Sequence, residues 1–164
     1  MEAAPLIVDI ERLVRGGERF VGEIPAAALD LPPADAALFA ARGNIRYDLR
    51  VEQIGEELLV RGRVEQDFRC TCVRCAGEFD WTSRDAEVTL AVQPGEQTFV
   101  DLTPELREGI LIQLPNHPLC RTECRGLCPV CGADLNRGPC GCKPPSDARW
   151  GTLDGLGDSR TSGG

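Results

Sequence analysis

Ile45-Arg46-Tyr47-Asp48-Leu49-Arg50-Val51 alternates apolar and charged side chains without a break. A period of two places Ile45, Tyr47, Leu49 and Val51 on one face and Arg46, Asp48, Arg50 and then Glu52 on the other, so the run is a half-buried strand with one wet face. Gly55-Glu56-Glu57 turns the chain. Leu58, Val60, Val64, Gln66 and Phe68 resume the same period and lead into Cys70-Thr71-Cys72-Val73-Arg74-Cys75. Phe79 and Trp81 begin a return strand, and Ala86, Val88, Leu90 and Val92 form the next alternating run, closed by Pro94-Gly95. Upstream, 6–14 reads as a first strand. Gly16-Gly17 turns it towards a partner over 19–24. The stretch 25–38, rich in alanine and proline, is a loop with a short helix after Pro33. The one longer helix is expected over 103–114, with Thr103 as its N-cap, Pro104 in its first turn, and Leu106, Ile110 and Leu114 on its apolar face. The fold class is therefore α+β, mainly an antiparallel sheet with one or two short helices and a C-terminal cysteine-rich lobe. Its segments are a sheet domain with its packing helix over 1–115, a metal-binding lobe over 116–145, and a docking turn with a small, polar tail over 146–164.

The chemistry lies in the cysteines. Nine occur, and six of them fall between Cys120 and Cys142 in the pattern C-x3-C-x3-C-P-V-C-G-x7-C-x-C. Thiolates at such spacings are soft ligands that close around a tetrahedral ion. In Cys128-Pro129-Val130-Cys131-Gly132 the tight turn aims both sulfurs at one point, and the glycine accepts the left-handed backbone that the turn requires. Cys128, Cys131, Cys140 and Cys142 make one four-thiolate set. Cys120 and Cys124 remain, and Cys72 and Cys75 form a second C-x2-C at a strand-to-strand turn. A second zinc site from these four, or ordinary buried thiols at 72 and 75, are both open at this stage, with Cys70 as a spare. One or two structural zinc ions are expected in preference to an iron–sulfur cluster or disulfides. The expected compartment is the cytoplasm, where thiols stay reduced: 1–13 carries Glu2, Asp9 and Glu11 with no long apolar run, and no stretch of about 18 apolar residues occurs.

Charge narrows the partners. The net charge is −8, and every basic residue but Lys143 is an arginine. Such a chain is not an obvious nucleic-acid binder, because that affinity rests on neutralising phosphates. Arginines 42, 46, 50, 61, 63, 69 and 74 are nevertheless concentrated in the central strands. They read either as a local RNA-facing patch or as solvated arginines paired with neighbouring carboxylates. Catalytic constellations are missing from the pattern. His117 is the only histidine, no phosphate-cradling glycine loop is present, and Cys72-Val73-Arg74-Cys75 lacks the strand-to-helix setting of a redox motif. The chain is expected not to be an enzyme, and nothing places a small-molecule pocket.

Several of these segments together resemble a known family. Thr71-Cys72-Val73-Arg74-Cys75 with Glu78-Phe79, the helix around Asp101-Leu102, Arg107-Glu108 and Leu111 to Pro115, and the run from Leu119-Cys120 through Gly126-Leu127-Cys128 to Leu135-Asn136 and Cys140-Gly141-Cys142 look like the YceD family, the bacterial large ribosomal RNA subunit accumulation proteins. Asp147-Ala148-Arg149-Trp150 is similar to its closing D-P-R segment, with alanine where proline is usual. The resemblance implies a non-catalytic role in ribosome biogenesis, with large-subunit rRNA or ribosome-assembly proteins as partners. Some members lack the C-terminal cysteines, which implies that the metal lobe is not essential to what all members share. Three ways of acting follow. One is direct binding of structured rRNA through Arg46, Arg50, Arg61, Arg63 and Arg74 on a sheet face. Another is an acidic adaptor that holds a basic ribosomal protein or a nuclease. The third is a redox-sensitive zinc switch.

Overall fold

The computed structural model describes residues 5–13 and 16–143, and for residues 85–87 the backbone alone. Its centre is a four-stranded antiparallel sheet in which β2 (Glu18–Pro25), β3 (Phe39–Ile54), β4 (Glu57–Thr71) and β5 (Glu78–Val92) lie side by side in chain order. A second, two-stranded sheet joins β1 (Ile7–Asp9) to β6 (Phe99–Asp101). Helices α1 (Pro33–Ala36) and α2 (Thr103–Leu111) complete the described elements, with two short 3₁₀ turns at Ile10–Arg12 and Ala26–Leu29.

The alternation seen in the sequence is realised in the packing. Ile45, Leu49 and Val51 of β3 are buried, as are Leu58, Val60, Val64 and Phe68 of β4 and Val88 of β5. Tyr47, Trp81 and Leu90 pack against this core half-buried. Phe68 anchors it: its ring meets Phe39 edge-on at 6.2 Å and Trp81 at 5.9 Å. Leu106 and Ile110 of α2, Val8 of β1 and Val100 of β6 close the same core. The opposite face of the sheet carries the charges.

Gly62 interrupts β4 with a bulge. Its φ is 151°, and a Cβ there would lie 2.1 Å from the Asp48 carbonyl oxygen. The register against β5 shifts between Gly62 and Val64. Only glycine permits β3 to approach this closely, and the local bend that results sharpens the twist of the long strands.

Three expectations are corrected. The first strand ends at Asp9, because the Asp9 carboxylate accepts the Glu11 N–H at 3.1 Å and opens a 3₁₀ turn. It therefore pairs with β6 (Ile7 opposite Asp101), while β2 pairs with β3 (Phe20 opposite Leu49). The two apolar runs after Phe79 are one continuous strand, β5. Helix α2 starts at Thr103, with Leu102 in the cap position expected of Thr103, and stops at Leu111. Thr103 lies inside it: its N–H is taken by the Asp101 carboxylate at 2.9 Å, and its hydroxyl accepts the Leu6 N–H at 2.8 Å. Among the described residues, no helix is long and apolar enough to cross a membrane. The docking turn and tail expected over 146–164 lie outside the described residues.

Candidate metal centres

The β4–β5 turn and the segment after α2 meet in one group of four cysteines, and the segment forms a second group by itself. Cys72, Cys75, Cys120 and Cys124 form one, and Cys128, Cys131, Cys140 and Cys142 the other. Within each group the four sulfurs lie within 4.8 Å of one another. Every described cysteine is a free thiol. The Cys72–Cys124 and Cys75–Cys120 sulfurs are each 3.8 Å apart. A disulfide requires about 2.05 Å. Sulfurs at about 2.3 Å from a tetrahedral ion stand about 3.8 Å apart. The donor set and its spacing therefore fit a tetrathiolate metal site.

Both groups begin with the same backbone unit. The Cys72 N–H donates to the Gly77 carbonyl at 2.9 Å and the Ala76 N–H to the Cys72 carbonyl at 2.8 Å. Five-residue and four-residue spacings recur downstream: Cys128 N–H to the Ala133 carbonyl at 2.8 Å, and Gly132 N–H to the Cys128 carbonyl at 2.8 Å. Each loop folds its first cysteine under a crown of N–H groups. Val130 N–H lies 3.4 Å from the Cys128 sulfur. The residue after the second cysteine takes the left-handed conformation in both, Ala76 at φ 54° and Gly132 at φ 72°.

These N–H groups prepare the sulfurs for a cation. Burial pushes the Cys72 thiol up, but N–H donors from Cys120, Cys75 and Arg74 outweigh it and bring the pKa to about 6. N–H donors from Cys131 and Val130 likewise lower Cys128 to about 6. The cost of crowding falls on the neighbours. Burial and then the adjacent sulfurs raise Cys120 to about 12, and Cys131 with Cys140 raise Cys142 to about 12. Four thiolates cannot coexist at this distance without a positive ion between them.

Asn136 stands behind the first group, a role that the cysteine spacing could not reveal. Its amide nitrogen points at the Cys124 sulfur at 3.5 Å. Its oxygen accepts from the Arg121 guanidinium at 2.7 Å and the Arg125 N–H at 2.9 Å, and Asp134 holds the amide from the other side at 2.7 Å. Such outer contacts orient ligands and tune their basicity. The only sequence signal was its place in the Leu135-Asn136 pair. Cys70 joins neither group. It is fully buried in the sheet core, where burial, then Asp80, pushes its thiol up.

The structure divides the five arginines named from the sequence. Arg74 lies in the first cysteine turn and donates to the Cys124 carbonyl at 3.0 Å, so it helps seat the lobe. Arg46 is held by Asp67 at 2.9 Å and Glu65 at 3.5 Å. Arg50 is paired with Glu52 at 2.7 Å. Arg61 and Arg63 are exposed on the outer face of β4, with no ion pair among the described residues. His117 is exposed in the loop leading to the lobe.

Comparison with known proteins gives a consistent family. Residues 82–157 match the family described as Large ribosomal RNA subunit accumulation protein YceD. An uncharacterized protein of Mycobacterium tuberculosis is 31% identical over 175 residues, covering 92% of this chain and 81% of the relative. An uncharacterized protein of Mycobacterium leprae is 33% identical over 106 residues, covering 56% and 49%. A protein of Arabidopsis thaliana named Large ribosomal RNA subunit accumulation protein YCED homolog 1, chloroplastic, is 30% identical over 64 residues, covering 38% of this chain and 20% of that protein. No solved structure matches the chain.

Proposed function

This chain belongs to the YceD family of large ribosomal RNA subunit accumulation proteins, and we propose that it supports accumulation of the large-subunit rRNA as a non-catalytic factor whose C-terminal lobe is set by two structural zinc ions. The observation that carries the metal half is the pair of tetrathiolate groups at tetrahedral spacing. Four sulfurs fill a zinc ion's coordination and leave no open position for a substrate, which is the arrangement of a structural site. The first site ties the β4–β5 turn to the lobe through Cys72, Cys75, Cys120 and Cys124, and the second folds the lobe on itself through Cys128, Cys131, Cys140 and Cys142. The functional half rests on the family. Cytoplasmic action beside nascent ribosomes fits both.

Two measurements test this. Native mass spectrometry with elemental analysis should find two zinc ions per chain; iron, or no metal in protein purified without chelator, contradicts it. Removing the gene should lower the large-subunit rRNA relative to the small-subunit rRNA, and an unchanged ratio removes the functional half. A second reading, an acidic adaptor for a basic assembly protein, draws on the net charge of −8. It predicts capture of a basic partner that is released by salt.

A further inference from the structure

We propose that the outer face of the sheet carries a binding site for the backbone of structured RNA, a shallow cleft lined by Arg19, Arg50, Arg61 and Arg63 that engages two successive phosphates. The proposal rests on the reading of the chain as an rRNA-accumulation factor and gives that role a surface.

The cleft is built by register. Arg19 of β2 stands opposite Arg50 of β3, and Arg50 stands opposite Arg61 of β4. Asp48 stands opposite Arg63, and Gly62 lies between the two β4 arginines. Like charges side by side on a sheet face are destabilising, so three arginines in one row need a reason. Elsewhere on the same face three arginines are matched, while Arg42, opposite Asp67, has no ion pair among the described residues. Arg46 meets Glu65 and Asp67, Arg69 meets Glu78 and Asp80, and Arg84 meets Glu65. Within the cleft Arg19 is clamped by both oxygens of Asp48 at 2.7 Å, and Arg50 is held by Glu52 and the Gly16 carbonyl. Arg61 and Arg63 have no hydrogen bond or ion pair among the described residues. Among the described side chains, four guanidinium groups therefore share two carboxylates, on a chain of net charge −8.

The chemistry selects phosphate on a polymer. A guanidinium is a rigid fork that matches phosphate oxygens in pairs. Side chains two residues apart on a strand are about 6.7 Å apart, comparable with the separation of neighbouring phosphates on one nucleic-acid strand. The cleft is open and lies on a flat sheet, whereas small-ligand sites enclose their ligand. No aromatic side chain lines it for base stacking, so it reads backbone and shape in place of sequence. It also stands well away from the metal lobe, roughly 25–30 Å along β4 from Thr71.

The test uses the full zinc-loaded chain and a fluorescent structured fragment of large-subunit rRNA, with affinity measured against salt. The wild type should lose affinity steeply as salt rises. Arg61→Gln with Arg63→Gln should weaken binding about tenfold or more at low salt and reduce the salt slope by about two contacts. Each single variant should show about half of that slope change, which keeps the test valid if the double variant is less stable. Arg69→Gln, equal in charge change but taken from a paired site, should change affinity less than twofold. If Arg69→Gln weakens binding as much as either cleft variant, or if the double variant binds as the wild type does, the cleft is not the site, while the rRNA-accumulation role stands. A wild type that binds no RNA at low salt also overturns the cleft. The rRNA ratio in cells lacking the gene judges the role independently.

Discussion

Cys72 and Cys128 each open the same turn, and the two turns differ where Ala76 stands in place of the glycine found at 132. A non-glycine residue in the left-handed region costs about 1 kcal/mol. Ala76→Gly should therefore stabilise the zinc-loaded protein by somewhat less than that, because the added glycine also loosens the unfolded chain. Differential scanning calorimetry should show a rise of a degree or more; a fall would mean that the Ala76 methyl group makes a contact worth more than its strain. A second residue-scale prediction separates ligands from packing. Cys70→Ser should keep both metals yet lose about 1–3 kcal/mol, since it buries a hydroxyl in an apolar site, whereas Cys72→Ser should lose one metal. Metal counts by mass spectrometry and denaturant melts on the same samples distinguish the two. Asn136→Ala should keep the fold and weaken the first site about 10–100-fold in a chelator competition. Cys128, Cys131, Cys140 and Cys142 were legible as one set because their spacing is local, whereas the grouping of Cys72 and Cys75 with Cys120 and Cys124 stayed open until the fold brought them together. Asn136 was not legible, since its contact depends on a loop that returns to Cys124 from 12 positions away.

Elements behave similarly. The period-two runs in β3 and β4 identified those strands because burial on one face imposes alternation whatever the partner. Strand partnership is a long-range property, and it escaped the sequence at β1. The Gly16-Gly17 pair reads as a hairpin turn, but Asp9 ends the preceding strand by capping a 3₁₀ turn. That leaves β6, brought back after β5, to supply the pairing. Thr103 shows the same competition: an N-cap residue by type, it spends its hydroxyl on Leu6 from the other end of the chain. Gly62 is the position at which one substitution tests the architecture. Gly62→Ala places a methyl carbon against the Asp48 carbonyl and the Leu49 Cα, both fixed by strand pairing. The β3–β4 ladder must separate locally, so a loss of at least about 3 kcal/mol is expected. Gly43, with φ 67° and open space around it, is the matched control: Gly43→Ala carries only the left-handed penalty, about 1 kcal/mol. Equal losses at the two positions, read from urea unfolding midpoints, would show that the close approach at Gly62 is not rigid.

At the scale of the whole molecule the chain has two kinds of interior. The sheet, α2 and the β1–β6 pair share an apolar core that needs no ligand. The lobe from Pro118 onward has none of its own: Pro118, Cys124, Gly126 and Cys128 are its buried residues among those described, and two of them are thiols of the metal groups. It meets the sheet through a few polar contacts, Val73 N–H to the Pro118 carbonyl and Leu127 N–H to the Arg74 carbonyl, each at 3.0 Å, and through the first cysteine group. If the two cysteine groups hold ions as proposed, a segment so short and so poor in apolar side chains is ordered by them. Chelation should therefore release exchange protection at Cys124, Cys128 and Gly132 while β3, β4 and β5 stay protected. The order of loss follows exposure. Cys131 and Cys142 are exposed, whereas Cys72 and Cys124 are buried, so the second site should empty first and a one-metal species should accumulate during titration with a chelator. Hydrogen exchange read alongside native mass spectrometry follows both events. Sheet amides that lose protection together with the lobe would mean that the ions hold the whole fold; lobe amides that stay protected without metal would mean that they hold none of it.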